Sequence, residues 1–449
     1  MTFPLRFLRF YTNIYFGNGL HGKVHYMEKV IIDGGARLDG KITVSGMKNA
    51  AVAVLFASLV VNDVCIIENL PDINDCMISI YILKSIGVKI DVIGKNKVRI
   101  DARNARDEMP PNELAKKMRA SYYLIGASLG RFGHAAIGYP GGCDFGVRPI
   151  DQHIKAFQAL DADIVVKSDL IEARAKEGVL RGGNIFFDCV TVGGTINAMI
   201  AAATADGVTV IENAAREPHI VDLANFLNFC GASVTGAGTD TIKIKGVREL
   251  HGCTYTLIPD MIEAGTFMVA AAATGGRLYI DNVIPKHLEA ITAKLTEMGV
   301  DVEEFDDAVL VSRKGELKKI NIQTRPYPGF PTDMNPQIAV LMCIAQGQSQ
   351  LTDTIWDNRF RYVEELKRMG AVIDVNGNTA VINGVEELVS ANVRAVDLRA
   401  GAAMIIAGLA AKGRTEIDDF YYVERGYDNV VEKLRFVGAN IRKIKANTL

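Results

Sequence analysis

The sequence predicts an α/β fold assembled from six copies of one helix-and-strand unit. Three observations carry this. The chain is self-similar with a period of about seventy residues. Within each period, a helix that is apolar on all sides alternates with an amphipathic one. Short β-branched runs separate the helices, giving a strand, helix, strand, helix order.

Each copy opens on a polar or charged residue at the start of an alanine-rich helix, then crosses a glycine-type turn and a short strand. An amphipathic helix follows, and a hydrophobic residue, a small turn residue and another strand close the copy. The first copy runs from Lys48 to Ile90. The third begins TVGGTINAMIAAATADGVTVIEN at Thr191, so CIIEN and TVIEN align without a gap. The fourth spans Glu263 to Val302, the fifth Asp333 to Ile373 and the sixth Arg399 to Ile441. The closing turn falls at Gly87, Asp161, Gly231, Gly299, Gly370 and Gly438.

The first helices, such as AGTFMVAAAAT and AGAAMIIAGLAA, should be buried all round. At about a dozen residues they are too short to span a bilayer. The second helices, such as VEELKRMG and VVEKLRFVG, are expected to cover the outside of a sheet. The element order implies right-handed crossovers and parallel pairing, which opens every loop that leads into a helix at one sheet edge. Those loops carry Lys48 with Asn49, Arg119, Thr191 to Gly194, Asp333 and Arg399 before the first helices, and Cys143 with Arg148, Arg359 and Arg425 before the second.

The chain has 449 residues, 49% of them hydrophobic, enough for a large core and two or three domains. Its 50 Lys and Arg against 52 Asp and Glu give a net charge of −2, so no general polyanion-binding surface is expected and any basic site is local. The seven cysteines are odd in number, scattered and free of a CxxC pair, which argues against a disulfide framework and a zinc site and fits a reducing cytoplasm. Residues 1–26 are aromatic and weakly basic, without the unbroken apolar core of a signal peptide. They read as a tag-like or misassigned extension of no functional weight, with MEKVIIDGG at Met27 as an ordinary start.

One loop is longer than its counterparts, and the extra residues are PGGC in PGGCDFGVRPIDQH, Pro140 to His153. Glycines let this backbone move and approach a ligand, and an arginine near Cys143 favours the thiolate. Cations and helix starts at one edge make an anion site, in which arginines grip carboxylate or phosphate by two points and lysine adds a compact charge. Asp333 in PTDMNP could act as a general base or, with Pro336 following, as a plain helix N-cap. Arg359 and Arg425 could instead pair on the surface with Asp357 and Glu424, and Lys48 and Arg399 could be solvated. His153 and His219 read as capping or space-filling. No GxSxG, GxxxxGK[ST] or metal-ligand spacing is present.

GxKNAA at Gly46 to Ala51, PGGCxxGxRPxDxH at Pro140 to His153, FPTDM at Phe330 to Met334, NRF at Asn358 to Phe360, DLRA at Asp397 to Ala400 and ERGY at Glu424 to Tyr427 occur in this order. From Met27 onward the chain thereby resembles the UDP-N-acetylglucosamine 1-carboxyvinyltransferases, enolpyruvyl transferases of bacterial peptidoglycan synthesis. The resemblance implies a two-domain inside-out α/β barrel of six βαβαββ units, three per domain, with the active site in the cleft. One domain would join residues 27–48 to 258–449, and the other would hold 49–257.

It also implies transfer of the enolpyruvyl group of phosphoenolpyruvate to the 3′-hydroxyl of UDP-N-acetylglucosamine, with phosphate released by addition and elimination. By motif, Cys143 would be the proton donor and would form a covalent adduct with phosphoenolpyruvate. Lys48, Arg148 and Arg425 would hold the phosphate, with Asn49 beside them, and Arg359 and Arg399 the carboxylate. Asp333 would be the base at the sugar hydroxyl, supported by Asp397. Asn49, Arg119, Arg148, Pro149, Ile150, Asp151, Gln152, Thr191, Val192, Gly193, Asp333 and Ile355 match nucleotide-sugar positions.

No cofactor or metal is implied, nor nucleic acid or membrane insertion, and the location is cytoplasmic. Cys143 implies covalent inhibition by fosfomycin, and the loop from 138 to 147 should close over bound nucleotide sugar. Met47 departs from the usual alanine, and Cys189 and Met261 stand where many relatives carry cations, which weakens the nucleotide side of the match. The alternatives are a shikimate-pathway enolpyruvyl transferase, which lacks PGGC, an RNA 3′-phosphate cyclase, and an inactive regulatory or binding paralogue.

Overall fold

The third copy displays the unit without interruption, in a computed structural model that describes residues 27–139, 141 and 150–446. A short strand, Asn184–Phe186, leads into the helix Val192–Ala202, the strand Val208–Glu212, the helix Pro218–Phe229, and a hairpin of Ser233–Thr235 and Thr241–Lys245. Parallel pairing holds for the strands that lead into the two helices, and the rest of the sheet is antiparallel. Only the first two strands pair in parallel, with Val210 opposite Asn184. The hairpin's second arm lies antiparallel to Val208–Glu212 and to its own first arm. A hairpin needs only a short turn, so the returning arm reaches the free edge of Val208–Glu212 and occupies it.

Among the described residues the strands form six separate sheets, five of four strands and one of three. Each parallel pair keeps its two helix-leading loops at one edge, so that part of the sequence argument holds. The closing turns also behave as expected. Gly87, Asp161, Gly231, Gly299, Gly370 and Gly438 all have positive φ, between 63° and 98°. A helix that ends in a left-handed residue turns straight into the next strand, and glycine or a short acidic residue takes that conformation most easily.

The six apolar helices are the core. Met261–Thr274 and Leu398–Ala410 are buried nearly throughout, and these two pack on Asn335–Cys343. Lys48–Ala57 packs on Tyr123–Phe132, which packs on Val192–Ala202. The expectation for the second helices is corrected. Asn74–Ser85 and Pro218–Phe229 pack against Lys48–Ala57 on the inner side of the sheets, and Pro285–Glu297 packs on Met261–Thr274 through Leu288, Ile291 and Leu295 while its other face stays exposed. Strands such as Thr241–Lys245 alternate exposed and buried residues, so each offers one apolar face, and both sets of helices share it. Helices inside and sheets outside give the inside-out α/β arrangement. Among the described residues no helix is long and apolar enough to cross a membrane.

Two strands are exchanged. Asp39–Thr43 precedes the helix Lys48–Ala57 but pairs with Arg277–Asp281, while Thr254–Thr256 precedes Met261–Thr274 but pairs with Val64–Glu68. The chain passes itself where Met47 N–H donates to the Ile258 carbonyl at 2.8 Å and Asp260 N–H donates to that of Ser45 at 2.9 Å. Gly46 is required there, because a Cβ would lie 1.7 Å from the Asn69 carbonyl oxygen. Asn69 and Asn282, both with positive φ, clasp the ends of the exchanged strands through their amides, to Leu257 O at 3.0 Å and Val44 O at 2.7 Å.

Candidate active site

The helix starts that the parallel edges gather surround a cavity of about 550 Å³. Lys48 is the first residue of its helix, where a cation meets the positive end of the helix dipole and needs an anion. Two carboxylates supply it. Asp260 accepts from Lys48 N–H at 3.1 Å while also capping the helix Met261–Thr274, and Asp75 lies 3.0 Å from Lys48 Nζ. Asp75 sits in the first turn of Asn74–Ser85, an ordinary place for an acid. Arg425, from the 3-10 turn Phe420–Arg425, reaches the same carboxylate at 2.9 and 3.3 Å. Burial pushes the Asp75 carboxyl up, but the Lys48 and Arg425 charges outweigh it and leave it below the usual carboxylate range.

Across the cavity a second carboxylate lies between two more cations. Asp333 is not the N-cap of the following helix. It sits inside the 3-10 turn Thr332–Met334, and the helix Asn335–Cys343 starts after Met334 with no side-chain cap. Arg399 Nε and Nη2 donate to one oxygen of Asp333 at 3.1 and 2.9 Å, and Arg359 Nη2 stands 3.7 Å from the other. Burial again acts upward, and Arg399, Arg359 and then Lys48 hold the Asp333 carboxyl well below the usual range. Arg359 is fully buried and donates to the Thr332 carbonyl at 3.2 and 2.9 Å, which fixes the backbone beside Asp333. Arg399 is buried too, and its Nη1 has no hydrogen-bond partner among the described residues, an arrangement costly unless a further group completes it. Asp397 accepts from Arg399 N–H and Ala400 N–H at 2.8 and 2.9 Å, so it caps the helix that presents Arg399.

The remaining wall comes from the first half of the chain. Asn49, Arg119, Asp151, Gln152, Thr191, Val192 and Gly193 line it, joined by Ile355 from the second half. Thr191 Oγ1 caps its helix by accepting from Gly194 N–H at 3.2 Å, which leaves the N-terminal turn facing the cavity. Gln152 is anchored by Asp188, at 3.0 Å in both directions. Ile150 is the residue before the helix Asp151–Ala159, and its apolar side chain is buried rather than lining the cavity. Cys143, Arg148 and Pro149, and with them the loop-closure expectation, lie outside the described residues.

Cys189 and Met261 do line the cavity, so the two departures from the cationic pattern fall where nucleotide contacts were expected. Both histidines are buried at its wall. His153 Nδ1 is 2.8 Å from the Asn197 amide nitrogen, so it accepts and the ring is neutral, and burial followed by the Arg119 charge lowers it to about 4. His219 is likewise lowered to about 4 by burial, and neither of its nitrogens has a partner among the described residues.

The family model described as EPSP synthase (3-phosphoshikimate 1-carboxyvinyltransferase) matches residues 32–434. UDP-N-acetylglucosamine 1-carboxyvinyltransferase 3 of Caldanaerobacter subterraneus subsp. tengcongensis is 55% identical over 419 residues, 93% of this chain and 100% of that protein. The chain belongs to the UDP-N-acetylglucosamine 1-carboxyvinyltransferases, within the enolpyruvyl transferases. The member numbered 2 in Clostridium acetobutylicum is 52% identical over 420 residues, again 93% of this chain and 100% of its own length. Among solved structures, the enolpyruvyl transferase NikO from Streptomyces tendae superimposes with a TM-score of 0.84 at 25% identity, covering 94% of this chain and 100% of that one.

For this enolpyruvyl transferase the sequence reading missed Asp75 and Asp260, which hold Lys48 and Arg425 in place. Asp75, in NDCM, looks like a routine first-turn acid, and Asp260, in IPDM, like a routine N-cap. The signal that could have found them is the family's own charge arithmetic: a lysine and an arginine at one buried point need an acid. The surface pairs considered for Arg359 and Arg425 give way to Asp333 and Asp75, while Glu424 pairs with Lys443.

Proposed function

We propose that this chain transfers the enolpyruvyl group of phosphoenolpyruvate to the 3′-hydroxyl of UDP-N-acetylglucosamine, releasing phosphate, the step that commits carbon to peptidoglycan. The observation that carries the reading is the gathering of Lys48, Arg359, Arg399 and Arg425 at one cavity wall, with Asp75 and Asp333 each lying between two of these cations. Forked arginines and a compact lysine charge on one wall suit a substrate that carries both a phosphate and a carboxylate.

Lys48 and Arg425, bridged by Asp75, present charge to the phosphate, and Arg148 joins them. Arg399, whose buried Nη1 has no partner among the described residues, and Arg359 take the carboxylate. In this reading Asn49 lies between the phosphate pocket and a nucleotide wall of Arg119, Asp151, Gln152, Thr191 to Gly193 and Ile355, to which Arg148, Pro149 and Ile150 are matched by motif alone. Asp333 accepts the proton of the 3′-hydroxyl as that oxygen attacks C2 of phosphoenolpyruvate, and Cys143 delivers a proton to C3. The tetrahedral intermediate then loses phosphate from C2 and a proton from C3, restoring the double bond. A carboxylate held by two arginines is a weak base, so substrate matters here: as its carboxylate engages Arg399 and Arg359, Asp333 regains basicity. Asp397 acts through Arg399 by fixing the helix start.

The exchanged strands support a division into 27–48 with 258–449 and 49–257, since each sheet stays within one of these sets. A cytoplasmic location and covalent inhibition by fosfomycin at Cys143 belong to the same reading. Phosphate release from phosphoenolpyruvate is measured with UDP-N-acetylglucosamine or with shikimate 3-phosphate as acceptor. Release with the nucleotide sugar alone is expected; release only with shikimate 3-phosphate, or with neither, overturns the proposal. Mass spectrometry after fosfomycin should find one adduct, on Cys143.

A further inference from the structure

Three cysteines remote in sequence meet off the cavity wall. Cys65 lies on the strand Val64–Glu68, Cys230 follows the helix Pro218–Phe229, and Cys253 precedes the exchanged strand Thr254–Thr256. Their sulfurs all lie within 4.8 Å of one another, with Cys230 and Cys253 Sγ 3.4 Å apart. This corrects the argument from scattering: cysteines without a CxxC spacing still converge when strand exchange brings residue 253 beside residue 65. Two main-chain bonds fix the three segments, Ile66 N–H to Cys253 O at 2.8 Å and His251 N–H to Cys230 O at 2.9 Å. Cys65 and Cys230 are buried, whereas Cys253 is partly exposed and gives the cluster an opening to solvent, where His251 is exposed.

A single buried cysteine is a small hydrophobe. Three sulfurs converging on one point, on segments already held by backbone bonds and open on one side, are a ligand set. We propose that Cys65, Cys230 and Cys253 bind one thiophilic d10 cation, Zn²⁺ or Cu⁺, through three thiolates. Thiolates are the ligands that select these ions, and zinc tolerates three protein ligands with a fourth position left to solvent. Metal–sulfur bonds of about 2.3 Å set sulfurs roughly 3.8 Å apart, so the cluster needs adjustments of about 1 Å or less. Each thiol releases its proton to solvent on binding, so affinity rises with pH. The bound ion joins a strand, a helix end and the incoming exchanged strand, and therefore protects the fold without touching catalysis.

Full-length protein, reduced and stripped with chelator, is titrated with Zn²⁺ and separately with Cu⁺ under native mass spectrometry. One ion per chain is expected with at least one of the two, and a rise in Tm on binding. Cys253→Ala should weaken that affinity more than about 100-fold, beyond what loss of an outer-shell partner causes, while enolpyruvyl transfer is unchanged. Alkylation mapping of the wild type needs no variant: the ion should protect Cys65, Cys230 and Cys253 and leave the exposed Cys189 reactive. The proposal is overturned by no stoichiometric binding of either ion, by equal affinity in Cys253→Ala, or by protection at Cys189 in place of the three.

Discussion

Asp75 and Asp333 each lie between two cations in the same cavity, yet they are built for different work. Asp75 is 2% exposed, and both of its oxygens are taken, by Lys48 and Arg425. The Asp333 side chain keeps 33% of its surface, and only one of its oxygens is within hydrogen-bond distance of an arginine, the other being 3.7 Å from Arg359. A saturated, enclosed carboxylate can only position its partners. A carboxylate with an open side and a loosely held oxygen can meet a hydroxyl and take its proton. Equal local charge thus yields a strut in one place and a reactive group in the other, and exposure makes the difference.

Substitution tests this first at Asp333. Asp333→Asn should lower kcat by about 10²- to 10⁴-fold, the usual worth of a general base, and this loss is its main signature even though Tm also falls as Arg399 and Arg359 lose their counter-charge. A loss under tenfold would show that the open carboxylate is not the base. Asp75→Asn should do the reverse. It leaves two buried cations without their counter-charge, a change that costs about 3–5 kcal/mol when a buried pair is broken. Thermal unfolding should fall accordingly and recover in part with excess inorganic phosphate; unchanged stability would erase the contrast. Arg399→Lys loses the forked grip on Asp333 and on the substrate carboxylate, and should raise KM for phosphoenolpyruvate roughly tenfold while leaving that for the nucleotide sugar nearly unchanged.

Acid separates the carboxylates from their neighbours by a smaller effect. The folded state holds His153 at about 4 against an ordinary 6.5, so the unfolded chain binds the proton first. Its contribution is complete above pH 6.5 and is lost as pH falls from there toward 4. Both aspartates are lowered from 3.8, so their contributions persist above that value and are lost only below it. The difference in denaturant unfolding between the wild type and His153→Gln should therefore change by about 1–3 kcal/mol between pH 6.5 and 4. His219, also held at about 4, adds a slope of the same sign, and Asp222 and Glu263, raised to about 6 and 7 by burial, oppose it, so only a profile that is identical in wild type and His153→Gln contradicts the assignment.

What was legible in the sequence was what repeats. The six turn residues share one backbone conformation, so each copy reinforced the others, and the cations at the helix starts fell at one edge as the pattern required. The returning hairpin arms, such as Thr241–Lys245 and Thr379–Asn383, came with the βαβαββ unit of the resemblance and not from the repeat itself, because they follow a turn directly and carry no helix to announce them. Placement of the second helices failed because amphipathicity reveals that a helix has a buried face but not which neighbour buries it. Asp75 and the cysteine cluster were invisible because their meaning arises from partners 350 and 188 residues away, as in Asp75 with Arg425 and Cys65 with Cys253.

The exchange of Asp39–Thr43 and Thr254–Thr256 sets an order of assembly during synthesis. All strands of three sheets lie between Val64 and Thr256, so that stretch holds every strand its own sheets use once residue 256 is clear of the ribosome. The strand Met27–Asp33, made earlier, pairs with Arg414–Asp418 and with Ile441–Ala446 and must wait for nearly the whole chain. The middle of the protein should close before its beginning. Nascent chains arrested about 40 residues beyond Thr256, a length we take to clear the exit tunnel, should resist protease across residues 64–256 while the first strand is still cut, a result in the opposite order being incompatible with this topology.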